Sequence, residues 1–497
     1  MVSALAAAII SLVPLLYLVD TAMSRGFSQL IDELAQWRTL QLISRSVLLT
    51  FAVTVAAVVI GTFAAWVVVM SGIAGRVPLL MLFSLSLAIP SYLSAFAWVS
   101  WLPSISGFLG AFVVLTLVCY PYVMLPVVAA MRRIDGLHEE VSHSLGRRGW
   151  SMFFGLTLGQ IRSSIVGGAL LVALYALSDF GAVAAMRYEA FTWVIYGAYR
   201  SGFNPSRAAI LSLVLISVAL ALTVAEVSLR GRTTATRIGS GASRMRRQHA
   251  SVGTRIVALV GSAVVIAAGA GVPIASVVSW VRRSATASVD IADVYRAVAY
   301  SFQVGILTSV VAVILAIPVA VVAVRYSSRF TRSLERATYI SHALPGIVIA
   351  ISVVFIGVRT LQPIYQRLPL LVLGQVILFL PLTVVAVRNA IEQSTPRVEE
   401  VAKSLGASPL ATIARVTVPL ALPGILAGGA MTMLSAVKEL PTTLLLRPTG
   451  TETLATSIWK YSSVSDYASV GPFAIALMIL AVVPVAVMTV MSSRSPK

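Results

Sequence analysis

Long apolar runs alternate with short polar connections along the whole chain. A helix needs about 20 apolar residues to cross about 30 Å of hydrocarbon. Runs of that kind centre on residues 2–19, 47–71, 79–101, 108–131, 165–186, 208–229, 256–280, 303–325, 338–358, 369–387, 421–446 and 471–491. The pattern therefore predicts an all-α membrane protein with about twelve transmembrane helices. The first run starts almost at Met1, without the basic leader of a secretory signal, and is read as a span.

Composition supports that class and excludes others. Of the 497 residues, 58% are hydrophobic and 11% charged, and mean hydropathy is +0.93. Soluble domains run at about 45–50% apolar and about 25% charged, so neither a water-soluble nor a disordered chain fits. The net charge of +19 would suggest nucleic acid in a soluble protein. Here the basic residues sit in connections between spans, which argues for topology and against nucleic-acid binding. The stretch 230–255 carries Arg230, Arg232, Arg237, Arg244, Arg246, Arg247 and Arg255 without an acid. Arg325, Arg329, Arg332 and Arg336 face only Glu335 in a second stretch. Placing both inside, with an even span number, puts both termini in the cytoplasm. Cys119 stands alone, so no disulfide framework exists.

The chain also repeats itself. Ser46, Gly61 and Pro90 match Ser301, Ala316 and Pro345 at an offset of 255. At an offset of 260, residues 120–146 match 380–406 with nine identities and no gap. Each copy holds six spans and enters the membrane in the same sense, as in a parallel repeat. The division expected is a first helix and outer loop at 1–40, repeat one at 41–229 and a basic cytoplasmic linker at 230–255. A seventh helix with its outer loop at 256–296 and repeat two at 297–491 complete it.

The most informative segment is a connection. Asp135 and Thr395 suit helix N-caps, and Pro396 suits the first helical position. Gly146 and Gly406, eleven residues on, suit the left-handed end of a helix. The pairs Glu139-Glu140 and Glu399-Glu400 favour the positive helix end, and Val141/Leu145 and Val401/Leu405 form one apolar face. Ser408-Pro409 reads as the start of another helix. Two matched helix–Gly–helix elbows predict a docking surface for a partner.

These residues carry a resemblance. Glu400-Val401-Ala402, three residues, Gly406, nine residues and Val416-Thr417-Val418-Pro419 resemble the signature loop of ABC importer permeases. The first copy is looser, and Gly159 stands where the family has Pro, which predicts a different bend there. Lys438-Glu439-Leu440-Pro441-Thr442-Thr443, together with Asp179-Phe180-Gly181, resembles the fused permeases of ferric-iron importers. Thiamine and phosphonate permeases share much of that framework. The resemblance implies that Glu139, Glu140, Gly146, Glu399, Glu400, Ala402, Gly406 and Pro419 couple to ATPase. It implies two ATP-binding-cassette subunits, an extracytoplasmic solute-binding protein and a bacterial cytoplasmic (inner) membrane location. The chain itself is expected to bind no cofactor and to be no enzyme. Of its four lysines only Lys403 precedes Ser or Thr, and Ala402 rather than Gly comes before it, so no P-loop exists and ATP is hydrolysed by the partner.

Charges inside spans are functional candidates. Asp179 and Glu439 match at the 260 offset, Arg187 and Arg447 follow each by eight residues, and Lys438 adjoins Glu439. Two readings stand open for the acids: an acid-lined path for a cation, or caps for the helices that Gly181 and Pro441 restart. Glu226 reads as a partner of Arg230, and Trp193, Tyr196, Tyr199, Trp459 and Tyr461 read as an interfacial aromatic belt. A metalloprotease is excluded: His138 and His143 are five apart, placing the imidazoles about 140° apart on a helix. A 6+6 secondary transporter also has parallel halves and is the alternative from a different class.

Overall fold

In the computed structural model the described residues are 2–24, 27–73, 75–132, 134, 153–200, 205–230, 252–284, 289–326, 328–341 and 344–493. Among them the chain forms helices and no strand. The first part contains α1 (Val2–Met23), α2 (Phe27–Ala35), α3 (Trp37–Val69), α4 (Arg76–Ser84), α5 (Ser91–Trp101) and α6 (Gly107–Met131). There follow α7 (Leu158–Ser178), α8 (Gly181–Ala185), α9 (Phe191–Arg200), α10 (Pro205–Arg230) and α11 (Val252–Arg283). The second part contains α12 (Ile291–Arg325), α13 (Arg329–Ile340), α14 (Gly346–Arg359), α15 (Leu368–Gln393) and α16 (Pro396–Ser404). It ends with α17 (Pro409–Lys438), α18 (Pro441–Leu446), α19 (Leu454–Ser463) and α20 (Tyr467–Ser493).

Among the described residues, nine helices are long and apolar enough to span a membrane by themselves. A tenth candidate is a pair, Arg76–Ala88 with Ser91–Trp101, bent by 90°. The run at 79–101 is therefore a broken element and not a straight span. The cause is Pro90, whose extended backbone (φ −60°, ψ 147°) starts α5 afresh. Pro345 does the same for α14 (φ −59°, ψ 145°), so the run at 338–358 is divided between α13 and α14. Helix α14 and the Tyr467–Ala481 part of α20 are apolar but shorter than a full crossing.

The described chain divides into two compact units that cut across chain order. One comprises Met1–Gln36, Val194–Ile216 and Ser284–Leu480; the other comprises Trp37–Trp193, Ser217–Arg283 and Ala481–Lys497. In the first unit α1 lays a stripe of small residues, Ala4, Ala7, Ala8 and Ser11, against its neighbours at 0–3% exposure. Ala4, Ala7 and Ala8 share a cluster with Ala316, Val319, Ala320 and Leu334. Small side chains let helix backbones approach closely where lipid provides no hydrophobic drive. In the second unit α11 uses the same device, since Gly261 lies against the Phe63 ring of α3.

The repeat predicted from sequence is a repeat of backbone. A π-helical turn occupies Phe153–Thr157 before α7 and Ile413–Thr417 within α17, again at an offset of 260. Gly159 and Pro419 thus follow the same turn. Asp179 (φ −67°, ψ 130°) and Glu439 (φ −71°, ψ 129°) break the helices in matching conformations.

Candidate functional site

The second elbow forms as its residue types require. Thr395 occupies the N-cap position in extended backbone without a side-chain cap bond, and Pro396 opens α16. At the other end Gly406 adopts φ +85°, conformational space that a Cβ disfavours. Its N–H donates to the Lys403 carbonyl at 3.0 Å, and the Ala407 N–H donates to the Ala402 carbonyl at 3.0 Å. This paired closure satisfies carbonyls that the helix end would otherwise leave bare. Ser408 then caps the next turn, accepting the Ala411 N–H at 3.3 Å. Glu139, Glu140 and Gly146, with the rest of the first elbow and residues 231–251 of the linker, lie outside the described residues.

The two glutamates of this elbow face opposite ways. Glu400 is exposed, beside Val401 and a pair of largely bare leucines, Leu405 at 82% and Leu410 at 77%. Glu399 is only 6% exposed and turns inward. Its carboxylate accepts Arg325 Nε at 3.0 Å and Nη2 at 2.8 Å, and Thr417 Oγ1 at 2.9 Å.

A second constellation lies where helices break. Asp179 Oδ1 accepts the Ala182 N–H of α8 at 2.7 Å, and Ser91 Oγ, at the start of α5, donates to Oδ2. Thr192 Oγ1 holds the Asp179 carbonyl at 2.6 Å. In the other copy Glu439 Oε1 accepts the Thr442 N–H at 2.8 Å and Oε2 the Thr443 N–H at 3.0 Å. Gly346, at the start of α14, is the counterpart of Ser91; a Cβ there would stand 3.0 Å from Glu439 Oε1. Both acids thus cap short helices, the geometry of the second reading above. Asp179 joins two breaks, the one after Pro90 and its own; in the other copy Thr442 Oγ1 makes the link, donating to the Gly346 carbonyl at 3.3 Å.

The neighbouring cations behave differently in the two copies. Arg187 is exposed with φ +55°, whereas Arg447 has φ −60° and pairs with Glu452. Lys438 closes α17, half-buried. Tyr196 is 6% exposed, Trp193 packs on Phe180 and Tyr461 stacks on Phe473 with centroids 5.8 Å apart. Cys119 is buried within α6, and the side chain of Glu226 lies outside the described residues.

Sequence reading missed two features here. Ser46 and Ser301, quoted only as identities, each accept the first N–H of a helix, from Phe191 at 3.1 Å and Leu454 at 2.8 Å. Their match at the 255 offset was the available signal. Gln375 is the second. Its Nε2 donates to Thr443 Oγ1 at 2.9 Å, its Oε1 accepts Thr308 Oγ1 at 2.9 Å, and Thr443 Oγ1 continues to Glu439 at 3.2 Å. The equivalent positions in the first copy are the buried Val53, Leu115 and Val183. One copy thus carries a buried polar chain where the other is apolar.

Comparison with known proteins fits this architecture. The family described as the binding-protein-dependent transport system inner membrane component matches the chain twice, over residues 57–231 and 310–495. The Fe(3+)-transport system permease protein FbpB 2 of Haemophilus influenzae is 32% identical over 95% of this chain and 94% of its own length. The sulfate transport system permease protein CysW of Escherichia coli is 27% identical over 37% of this chain and 68% of its own. The molybdenum transport system permease protein ModB of Mycobacterium tuberculosis is 30% identical over 38% and 75%. The chain belongs to the binding-protein-dependent ABC importer permeases, as a two-copy, multi-pass inner-membrane member. Permeases of this family work with a solute-binding protein and an ATPase.

Proposed function

We propose that this chain carries ferric iron into the cytoplasm. An external binding protein delivers the ion, and a pair of ATPase subunits drives alternating access. The observation behind the choice of iron is the similarity to the Haemophilus ferric permease along nearly the full chain; the sulfate and molybdenum permeases align with one repeat's worth. The two elbows dock one on each ATPase subunit, with Glu400, Ala402, Gly406 and Pro419 in the second. Glu139, Glu140 and Gly146 serve the first elbow. Both termini lie in the cytoplasm, on the side of the Arg-rich connections. Asp179, Glu439, Lys438, Arg187 and Arg447 border the path, and the two acids act by holding the broken helices that line it. Closure of the ATPase pair moves the elbows together and rocks the repeats as rigid bodies.

The test is uptake of radioactive iron by proteoliposomes containing the permease, its ATPase and its binding protein. Uptake that requires ATP and the loaded binding protein is the expected result. ATP-dependent uptake of thiamine or a phosphonate in place of iron would replace the substrate. Gradient-driven uptake by the permease alone would make it a secondary transporter and end the ABC mechanism.

A further inference from the structure

We infer that Arg325 is a positioning residue that locks the second elbow to the ends of two spanning helices, making them one mechanical unit. The inference rests on the docking role proposed for that elbow.

Arg325 is the last residue of α12, and its side chain is 16% exposed. Its Nε reaches both Glu399 oxygens at 3.0 Å, and Nη2 reaches Oε1 at 2.8 Å. The same Nη2 donates to Ser394 Oγ at 2.7 Å and to the carbonyls of Ile391 and Ser394 at 3.2 and 3.3 Å. Those carbonyls stand at the end of α15, where i+4 N–H partners run out; Ile391 also accepts the Ser394 N–H at 3.1 Å. Glu399 also accepts Thr417, in the π turn within α17. One guanidinium therefore ties α12, α15, α16 and, through Glu399, α17.

A planar fork that engages a carboxylate at two points fixes direction as well as distance. The helices α12 and α15 cannot slide relative to α16 without breaking several charged hydrogen bonds in a largely desolvated site. The elbow therefore transmits displacement into α12 and α15 instead of swinging on a hinge at Ser394–Thr395. At the 255 offset the first copy has Met70 in place of Arg325, buried at 6% in an apolar cluster. No such strut can start from that position.

The test uses the full complex of permease, ATPase and binding protein in proteoliposomes. R325M leaves Glu399 buried without its charge partner, so R325M/E399Q removes both charges and preserves the packing. In both variants the ATPase subunits are expected to remain bound. Stimulation by loaded binding protein and coupled uptake should fall about tenfold or more, because the elbow is then free to move without α12 and α15. The exchange R325E/E399R should restore much of the stimulation. Wild-type stimulation in R325M/E399Q would overturn the lock. So would loss of the ATPase subunits from both variants without rescue by the exchange, which marks mere folding support. Uptake by the wild-type complex without ATP would instead overturn the docking role itself, whatever Arg325 does.

Discussion

Glu439→Gln and Glu439→Ala separate a capping carboxylate from one that binds cargo. The carboxylate accepts the N–H groups of Thr442 and Thr443 and the Thr443 hydroxyl. Truncation to Ala strands both N–H groups at the start of α18, in a half-buried setting. A stranded buried donor costs about 1–3 kcal/mol; partial water access places the pair at about 2–4 kcal/mol in all. Gln keeps one acceptor oxygen, so it should cost about half as much. Equilibrium unfolding of the purified permease in mixed micelles of increasing SDS fraction measures both values. Transport in proteoliposomes measures function beside them. A cap predicts that uptake falls in step with stability, Ala more than Gln. If Gln abolishes uptake with stability unchanged, the negative charge itself acts on the ion and the capping argument fails.

The other expectations concern turns and close approaches. Gly406→Ala meets no atom within 4 Å but keeps φ +85°, costing about 1 kcal/mol and leaving ATPase coupling largely intact. Gly406→Pro removes the N–H given to Lys403 and should uncouple ATP hydrolysis from uptake; coupled uptake in that variant would count against the elbow's role. Gly181→Ala would place a methyl group 2.6 Å from Tyr92 Cβ, forcing α8 away from α5 at a cost of about 1–3 kcal/mol. An unchanged unfolding midpoint for that variant would contradict the close approach. Ser46→Ala and Ser301→Ala each strand a helix N–H, so hydrogen exchange at Phe191 and Leu454 should quicken by about tenfold or more. Equal protection in wild type and variants would refute that pairing.

The membrane class, the repeat and the local form of the second elbow were legible in the chain's residues alone. Each of these rests on short-range physics. Hydropathy over about 20 residues decides what lipid accepts, and Pro396, Gly406 and Ser408 act through their own backbone conformations. The family resemblance was legible in the same loop, because its spacing follows from a helix that must end at a glycine. The tertiary structure decided what depended on partners far along the chain. Pro90 and Pro345 divided two hydropathy runs into broken helices. The small residues of α1 placed it in the unit that holds the second repeat. Two adjacent glutamates with identical local credentials were separated by burial: Glu399 turned to Arg325, 74 residues away, and Glu400 stayed outside. Asp179 and Glu439 look alike as charges in apolar runs, and only the donors around them reveal caps. Hydrophobicity sorts residues between lipid and water, but within a span it is blind to which polar group finds a partner. Pairing across helices supplies that last distinction, since an unpaired polar group inside the membrane is too costly to leave in place.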